Sequence, residues 1–224
     1  MISAKNCAVL FDLDGVIVDS KDAHFAAFAQ LGREVGYAFT AEHFLHTFGL
    51  RNEEIFPMLY GHDLPAERVR WLAERKEAIF REMVSGRVTA LPGVLTLLPA
   101  LAKAGFHRAL GTSTPRENVE LILRELDLLS YFETIVSAED VTRGKPDPQV
   151  FSLGAERLGI PPAQCVVVED AVAGVQAALN GGMKALALTT NHPRASLQAA
   201  NRVLDSLEEV APNDFLALIT DTEN

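Results

Sequence analysis

Residues 9–20 read VLFDLDGVIVDS, Val9 to Ser20. An apolar run, Val9-Leu10-Phe11, stops at two carboxylates, Asp12 and Asp14, with Leu13 between them and Gly15 behind. A short apolar run without polar alternation is what a strand buried on both faces of a parallel sheet requires. In such sheets ligands bind beyond the carboxyl ends of the strands. The two acids therefore stand where a ligand would be met.

Further runs of the same kind predict strands at Ala8–Phe11, Arg108–Thr112, Thr134–Val136, Cys165–Val168 and Lys184–Leu188. Helical patterns separate them. After Thr112, Thr114-Pro115-Arg116-Glu117 has the form of a capping box, with Thr114 as N-cap and Leu121, Ile122, Leu126 and Leu129 as the apolar face behind it. From about residue 92 onward strand and helix alternate, so the fold class is α/β, a doubly wound, Rossmann-like parallel sheet.

Residues 19–88 break the rhythm. They carry helical patterns alone, at Ser20–Val35, Ala41–His46, Asn52–Tyr60 and Ala66–Ser85. A crossover between parallel strands needs only about a dozen residues, so about 70 residues of helix form a separate unit. The expected organisation is a core of residues 1–18 and 89–224, interrupted by an α-helical cap domain over 19–88. Gly86 and Gly93 stand at the return and are expected to absorb hinge rotation.

Composition bounds the function. The 48% apolar content suffices for a real core, and a formal charge of −10 disfavours nucleic acid and anionic membranes as partners. No apolar run reaches the length of a membrane span, and Met1 to Lys5 lack the pattern of a signal peptide. Cys7 and Cys165 fall in buried strands and are expected to be inert thiols. A cytoplasmic, soluble protein is expected.

Four separate segments converge on one rim of the predicted sheet: Asp12 and Asp14, Thr112-Ser113, the turn-rich Gly144-Lys145-Pro146-Asp147-Pro148, and Glu169-Asp170. Their chemistry is complementary. Carboxylates can hold a hard cation such as Mg2+, which takes substrate phosphate as a further ligand. Thr112 and the amides after it can cradle phosphate oxygens at a helix N-terminus. Lys145 adds a compact positive charge.

Together these segments resemble the four motifs of the haloacid dehalogenase-like superfamily, closest to its β-phosphoglucomutase and phosphoglycolate phosphatase-like branch. The likeness runs from about Cys7 to Leu188. It implies that Asp12 is the nucleophile, forming an aspartyl phosphate, and that Asp14 is the general acid and then base. It implies Mg2+ held by Asp12, the backbone carbonyl of Asp14 and Asp170, with Glu169 reaching it through water. Lys145 then offsets charge and Thr112 holds a nonbridging oxygen. The haloacid dehalogenases themselves lack an acid at the position of Asp14, so phosphoryl transfer is implied instead. The helical insert is implied to close over the site.

Around the substrate, the resemblance points to Ser113, to His24 on the first cap helix, and to Arg51, Lys76 and Arg116. Each of these has a plainer reading: Lys76 as a solvated helix face, Arg116 as part of the cap box, His24 as a surface histidine. Trp71 and the cap phenylalanines are expected in the cap's own core. The expected function is a Mg2+-dependent phosphatase of small phosphorylated metabolites, sugar phosphates above all, acting as a monomer. A β-phosphoglucomutase is the alternative, and a non-catalytic phosphometabolite sensor is an alternative of another class. In Thr47-Phe48-Gly49-Leu50-Arg51-Asn52, Phe48 and Asn52 occupy positions where the mutases carry a basic pair. This favours water as the acceptor.

Overall fold

The computed structural model describes residues 3–47 and 50–221. The expectations that fall on Phe48, Gly49, Met1 and Ile2 lie outside the described residues. Strand β1 (Ala8–Phe11) is buried along its whole length and lies inside the sheet. It pairs in parallel with β2 (His107–Gly111) on one side, Val9 opposite Arg108, and with β4 (Cys165–Glu169) on the other, Val9 opposite Val166. With β3 (Thr134–Val136), β5 (Lys184–Leu188) and β6 (Arg202–Leu204) the order is β3-β2-β1-β4-β5-β6, parallel throughout. The chain reverses its direction of travel across the sheet between β1 and β4. That is the topological switch point where such sheets bind ligands.

Alternation along β1 sorts the core. Val9 and Phe11 face one layer, shared with Leu98, Leu101, Ile122 and Phe215. Ala8 and Leu10 face the other, shared with Phe151, Ala155, Val175 and Ala178. Helices α5 (Val94–Ala104), α6 (Arg116–Glu125) and α9 (Pro212–Thr220) cover the first face; α7 (Gln149–Leu158) and α8 (Val172–Asn180) cover the second. Because both faces are covered, the strands read as continuous apolar runs.

Between β1 and α5 lie helices α1 (Lys21–Val35), α2 (Ala41–Thr47), α3 (Asn52–Tyr60) and α4 (Ala66–Val84). Helix α1 packs along α4. Phe28, Leu31, Ile55, Phe56, Leu72, Ile79 and Phe80 are buried among these helices. The segments entering and leaving them run side by side: Val18 bridges to Ala90 in antiparallel fashion, and the Leu91 amide donates to the Ile17 carbonyl at 2.9 Å.

The structure corrects several expectations. Strand β6 was not anticipated, because three residues of an edge strand carry too little pattern. Trp71 is not in the cap core; the residue is 44% exposed, with the Arg68 guanidinium 4.3 Å from the ring centroid. The buried face of α6 is Val119, Ile122 and Leu123, while Leu129 is exposed. Gly93 has φ +87°, and a Cβ there would sit 2.5 Å from the Glu208 amide. It is held by packing against residues 207–208, so it fits a fixed turn better than a hinge.

Candidate active site

The rim is built by extending the strands. The Asp12 amide donates to the Val168 carbonyl at 3.0 Å, and the Thr112 amide to the Val136 carbonyl at 3.0 Å. Both side chains are thus fixed one step beyond β1 and β2, and Glu169 and Asp170 end β4 beside them. Lys145 reaches in from the loop before α7. Its Nζ lies 2.9 Å from Asp12 Oδ1, an ion-pair contact, and donates to Glu169 Oε1 at 2.6 Å.

Glu169 is fully buried. Its Oε2 accepts from the amides of Asp170 and Ala171, both at 2.8 Å, and Gly174 on α8 makes room for it: a Cβ there would lie 1.8 Å from Oε1. Asp170 Oδ2 accepts from Asn191 Nδ2 at 2.6 Å. Gly15, at φ +78°, lets the chain turn directly under that carboxylate.

Carboxylate oxygens of Asp12, Glu169 and Asp170 lie within 4.8 Å of one another, all buried. Burial pushes the Asp12 carboxyl up to about 7; Lys145 opposes this, while Glu169 and Asp14 add to it. Burial, then the charges of Glu169 and Asp12, lift Asp170 well above the carboxylate range. For Lys145, burial disfavours the charge, but Asp12 and Glu169 outweigh it and hold the ammonium above its usual value. Three buried acids thus face one buried cation. That surplus, on hard oxygen donors, fits a divalent cation.

Asp14 lies in the same cavity but in different surroundings. Its Oδ1 accepts from the Ser20 hydroxyl and its Oδ2 from the Thr114 hydroxyl. His24 Nε2 stands 3.4 Å from Oδ1. Burial alone would push this acid up, but the hydrogen bond of His24, with those of the two hydroxyls, holds it below the usual carboxylate range. The capping box is therefore overturned. Thr114 gives its hydroxyl to a buried carboxylate, a stronger use than capping an amide. Helix α6 begins at Arg116, and the Glu139 carboxylate caps the Arg116 amide at 3.1 Å instead. Glu117 pairs with Arg81 at 2.9 Å.

One cavity joins this rim to the helical insert. His24, Asn52, Lys76 and Glu77 line it from the insert, opposite Asp12, Asp14, Thr112, Ser113 and Lys145. Lys76 is no solvated lysine: it is 2% exposed, its Nζ 2.7 Å from His24 Nδ1 and 2.8 Å from Glu77 Oε1. An ammonium donates, so Nδ1 accepts and the Nε2–H points toward Asp14. Arg51 and Arg116 stand apart from this lining. Arg51 is 3.6 Å from Glu53, and Arg116 reaches Asp140 at 2.5 Å. Sequence reasoning did not single out Ser20, Thr114, Asn191 or Glu77 as site residues. Nothing in their local sequence separates a hydroxyl or acid aimed at this cavity from one that ends a helix.

A doubly wound sheet with an acid-rich rim at its switch point and a helical insert over it defines a class, the phosphoryl-transfer enzymes of the haloacid dehalogenase-like fold. The chain belongs to that family: the model described as haloacid dehalogenase-like hydrolase matches residues 9–188. Hexitol phosphatase A of Escherichia coli is 35% identical over 90% of this chain and 91% of its own. The β-phosphoglucomutase of Bacillus subtilis is 32% identical over 83% of this chain and 84% of its own. Among solved structures, CbbY of Rhodobacter sphaeroides in complex with phosphate has a TM-score of 0.83 at 26% identity, covering 94% of this chain and 99% of that one. The protein is an enzyme of phosphoric monoester chemistry. No helix among the described residues is long and apolar enough to cross a membrane.

Proposed function

We propose that the protein is a Mg2+-dependent phosphatase of small phosphorylated metabolites, sugar and polyol phosphates above all, working through an aspartyl phosphate on Asp12. One observation carries this: the buried carboxylates of Asp12, Glu169 and Asp170 and the Lys145 ammonium converge on one rim at the switch point of the sheet, with Asp14 two residues from Asp12 in the same cavity. Asp12 sits in the acid cluster against Lys145, placed to attack. Asp14 sits among donors on the insert side, placed to exchange protons with the leaving group.

A carboxylate oxygen of Asp12 attacks phosphorus, the ester P–O bond breaks, and the leaving oxygen takes a proton from Asp14. Asp14 then accepts a proton from water as that water attacks phosphorus, the Asp12–phosphorus bond breaks, and inorganic phosphate leaves. To carry a proton, Asp14 must first leave the hydroxyls of Ser20 and Thr114 and the ring N–H of His24, which favour its ionised form. Thr112 and the Ser113 amide hold phosphate oxygens, and Lys145 balances their charge. Mg2+ held by Asp12, Asp170 and the Asp14 carbonyl, with Glu169 through water, would supply the remaining positive charge.

Residues 19–88 act as a cap that opens for substrate and closes to exclude water, on a core of 1–18 and 89–224. The free, buried Cys7 and Cys165 suit a cytoplasmic enzyme, taken here as a monomer.

The mutase is the second reading, favoured by the likeness to the Bacillus subtilis enzyme and by His24 and Lys76 in the cavity. Against it, Asn52 spends its amide on Glu77 at 2.7 Å, where a mutase would present a phosphate-binding cation. The deciding assay supplies β-glucose 1-phosphate, Mg2+ and a trace of glucose 1,6-bisphosphate. Free phosphate should outrun glucose 6-phosphate; the reverse would overturn the choice. Phosphate release from a panel of sugar and polyol phosphates tests the phosphatase itself.

A further inference from the structure

Among the described residues, the chemistry above leaves the buried acid Glu77 unused. Glu77 projects from α4 into the wall of the cavity opposite the catalytic rim, and it is 5% exposed. Its Oε1 accepts from Lys76 Nζ at 2.8 Å and Asn52 Nδ2 at 2.7 Å, and its Oε2 accepts from Asn118 Nδ2 at 2.6 Å. Two consequences follow. The charge of Lys76, the cavity's ammonium on the cap side, is already matched by an adjacent carboxylate. A carboxylate offers about four acceptor sites, and three carry these donors, so the wall still accepts a hydrogen bond from a hydroxyl.

The neighbouring cavity has the same sign. A second cavity shares Asn52, Glu77, Ser113 and Pro115 with the first. Around it stand four further carboxylates, Glu53, Glu74, Glu117 and Glu139, against two guanidiniums, Arg70 and Arg81. Arg81 is itself engaged, by Glu117 at 2.9 Å and by Asn118 Oδ1 at 2.9 Å.

We infer that Glu77 is a specificity-determining residue. It admits phosphomonoesters whose far end is an uncharged, hydroxyl-bearing chain and turns away those whose far end carries a second phosphate. Once the reacting phosphate is on the rim, the rest of the substrate extends toward this wall. A hydroxyl there can donate to the carboxylate. A phosphate dianion there would find no uncompensated positive charge, because the Lys76 ammonium is already matched by Glu77. This deepens the phosphatase reading and rests on its placement of the reacting phosphate.

The test reads binding, so it stands apart from turnover. In an Asp12→Asn background with Mg2+, calorimetry compares glucose 6-phosphate with glucose 1,6-bisphosphate, which share a ring and differ in the second phosphate. A unit charge about 8 Å from a dianion, at an effective dielectric between that of a protein surface and water, is worth about tenfold or more. Because this wall offers the second phosphate no compensating charge, the monophosphate should bind the more tightly of the two. Adding Glu77→Gln should shift the ratio of the two affinities by about tenfold toward the bisphosphate. A purely structural role would lower both affinities together and leave the ratio in place, which would overturn the inference. Equal or tighter binding of the bisphosphate with Glu77 intact would overturn it too, and that comparison needs no change at Glu77, should Glu77→Gln not fold. Failure of the phosphatase reading would show elsewhere, as no phosphate released from any ester by the wild-type enzyme.

Discussion

Replacing Asp12 with Asn should abolish turnover and at the same time stabilise the metal-free protein. Turnover is lost because a neutral amide cannot attack phosphorus. The stability gain follows from the surroundings of Asp12. Its carboxyl lies near 3.8 in the unfolded chain and is pushed up to about 7 in the fold, chiefly by burial. An acid raised in the native state binds its proton more tightly there, so native stability declines as pH rises from about 4 to about 7. Above that the full penalty stands. Three units correspond to a ceiling of about 4 kcal/mol.

Asn carries no such penalty, and the loss of the ion pair with Lys145 is already contained in the rise to about 7. The gain at pH 8 is then at most about 4 kcal/mol, at roughly 2–4 °C in melting temperature per kcal/mol for a chain of this length. Thermal unfolding in chelator at pH 8 and pH 5 reads it directly. The gain should be present at pH 8 and shrink at pH 5, where Asp12 of the native wild type is already protonated. Added Mg2+ should raise the wild-type midpoint more than the variant's. A variant less stable than wild type at pH 8, or a gain level across the two pH values, would refute this account of the acid cluster.

Other outcomes are expected. Thr114→Val removes a donor that favours the ionised form of Asp14, so the pH–rate limb belonging to that acid should move to higher pH; a limb that stays put would detach Thr114 from it. Gly15→Ala would place a Cβ 2.1 Å from Asp170 Oδ2 at φ +78°, and should cost at least about a hundredfold in kcat/KM with a lowered melting temperature; wild-type kinetics would show that the turn yields freely. Chelator should silence the enzyme and Mg2+ restore it, while Asp170→Ala should not recover at any practical Mg2+ concentration. Activity untouched by chelator would remove the metal from the mechanism.

Much of this molecule is written locally. The apolar run ending in Asp12-Leu13-Asp14-Gly15 needs no partner to be recognised, because a strand buried on both faces must be continuously apolar and must end in polar residues. The order of such runs fixes a parallel sheet, and the stretch without strands fixes a helical insert. Asp12, Lys145, Glu169 and Asp170 were legible for the same reason: each is tied to a strand end or a turn whose own sequence announces it. What the sequence could not decide were choices between partners far apart in the chain. Thr114 had the pattern of a helix cap, but Asp14, one hundred residues earlier, takes its hydroxyl, and Glu139 takes over the cap. Lys76 and Glu77 had the composition of a solvated helix face, yet packing of α4 against α1 and α6 buries both and binds them to His24, Asn52 and Asn118. A side chain's intrinsic preference is worth about 1 kcal/mol, whereas leaving a charged group unpaired in the interior costs several. Where the two conflict, the tertiary fold decides, and it does so at the cavity proposed to hold the substrate.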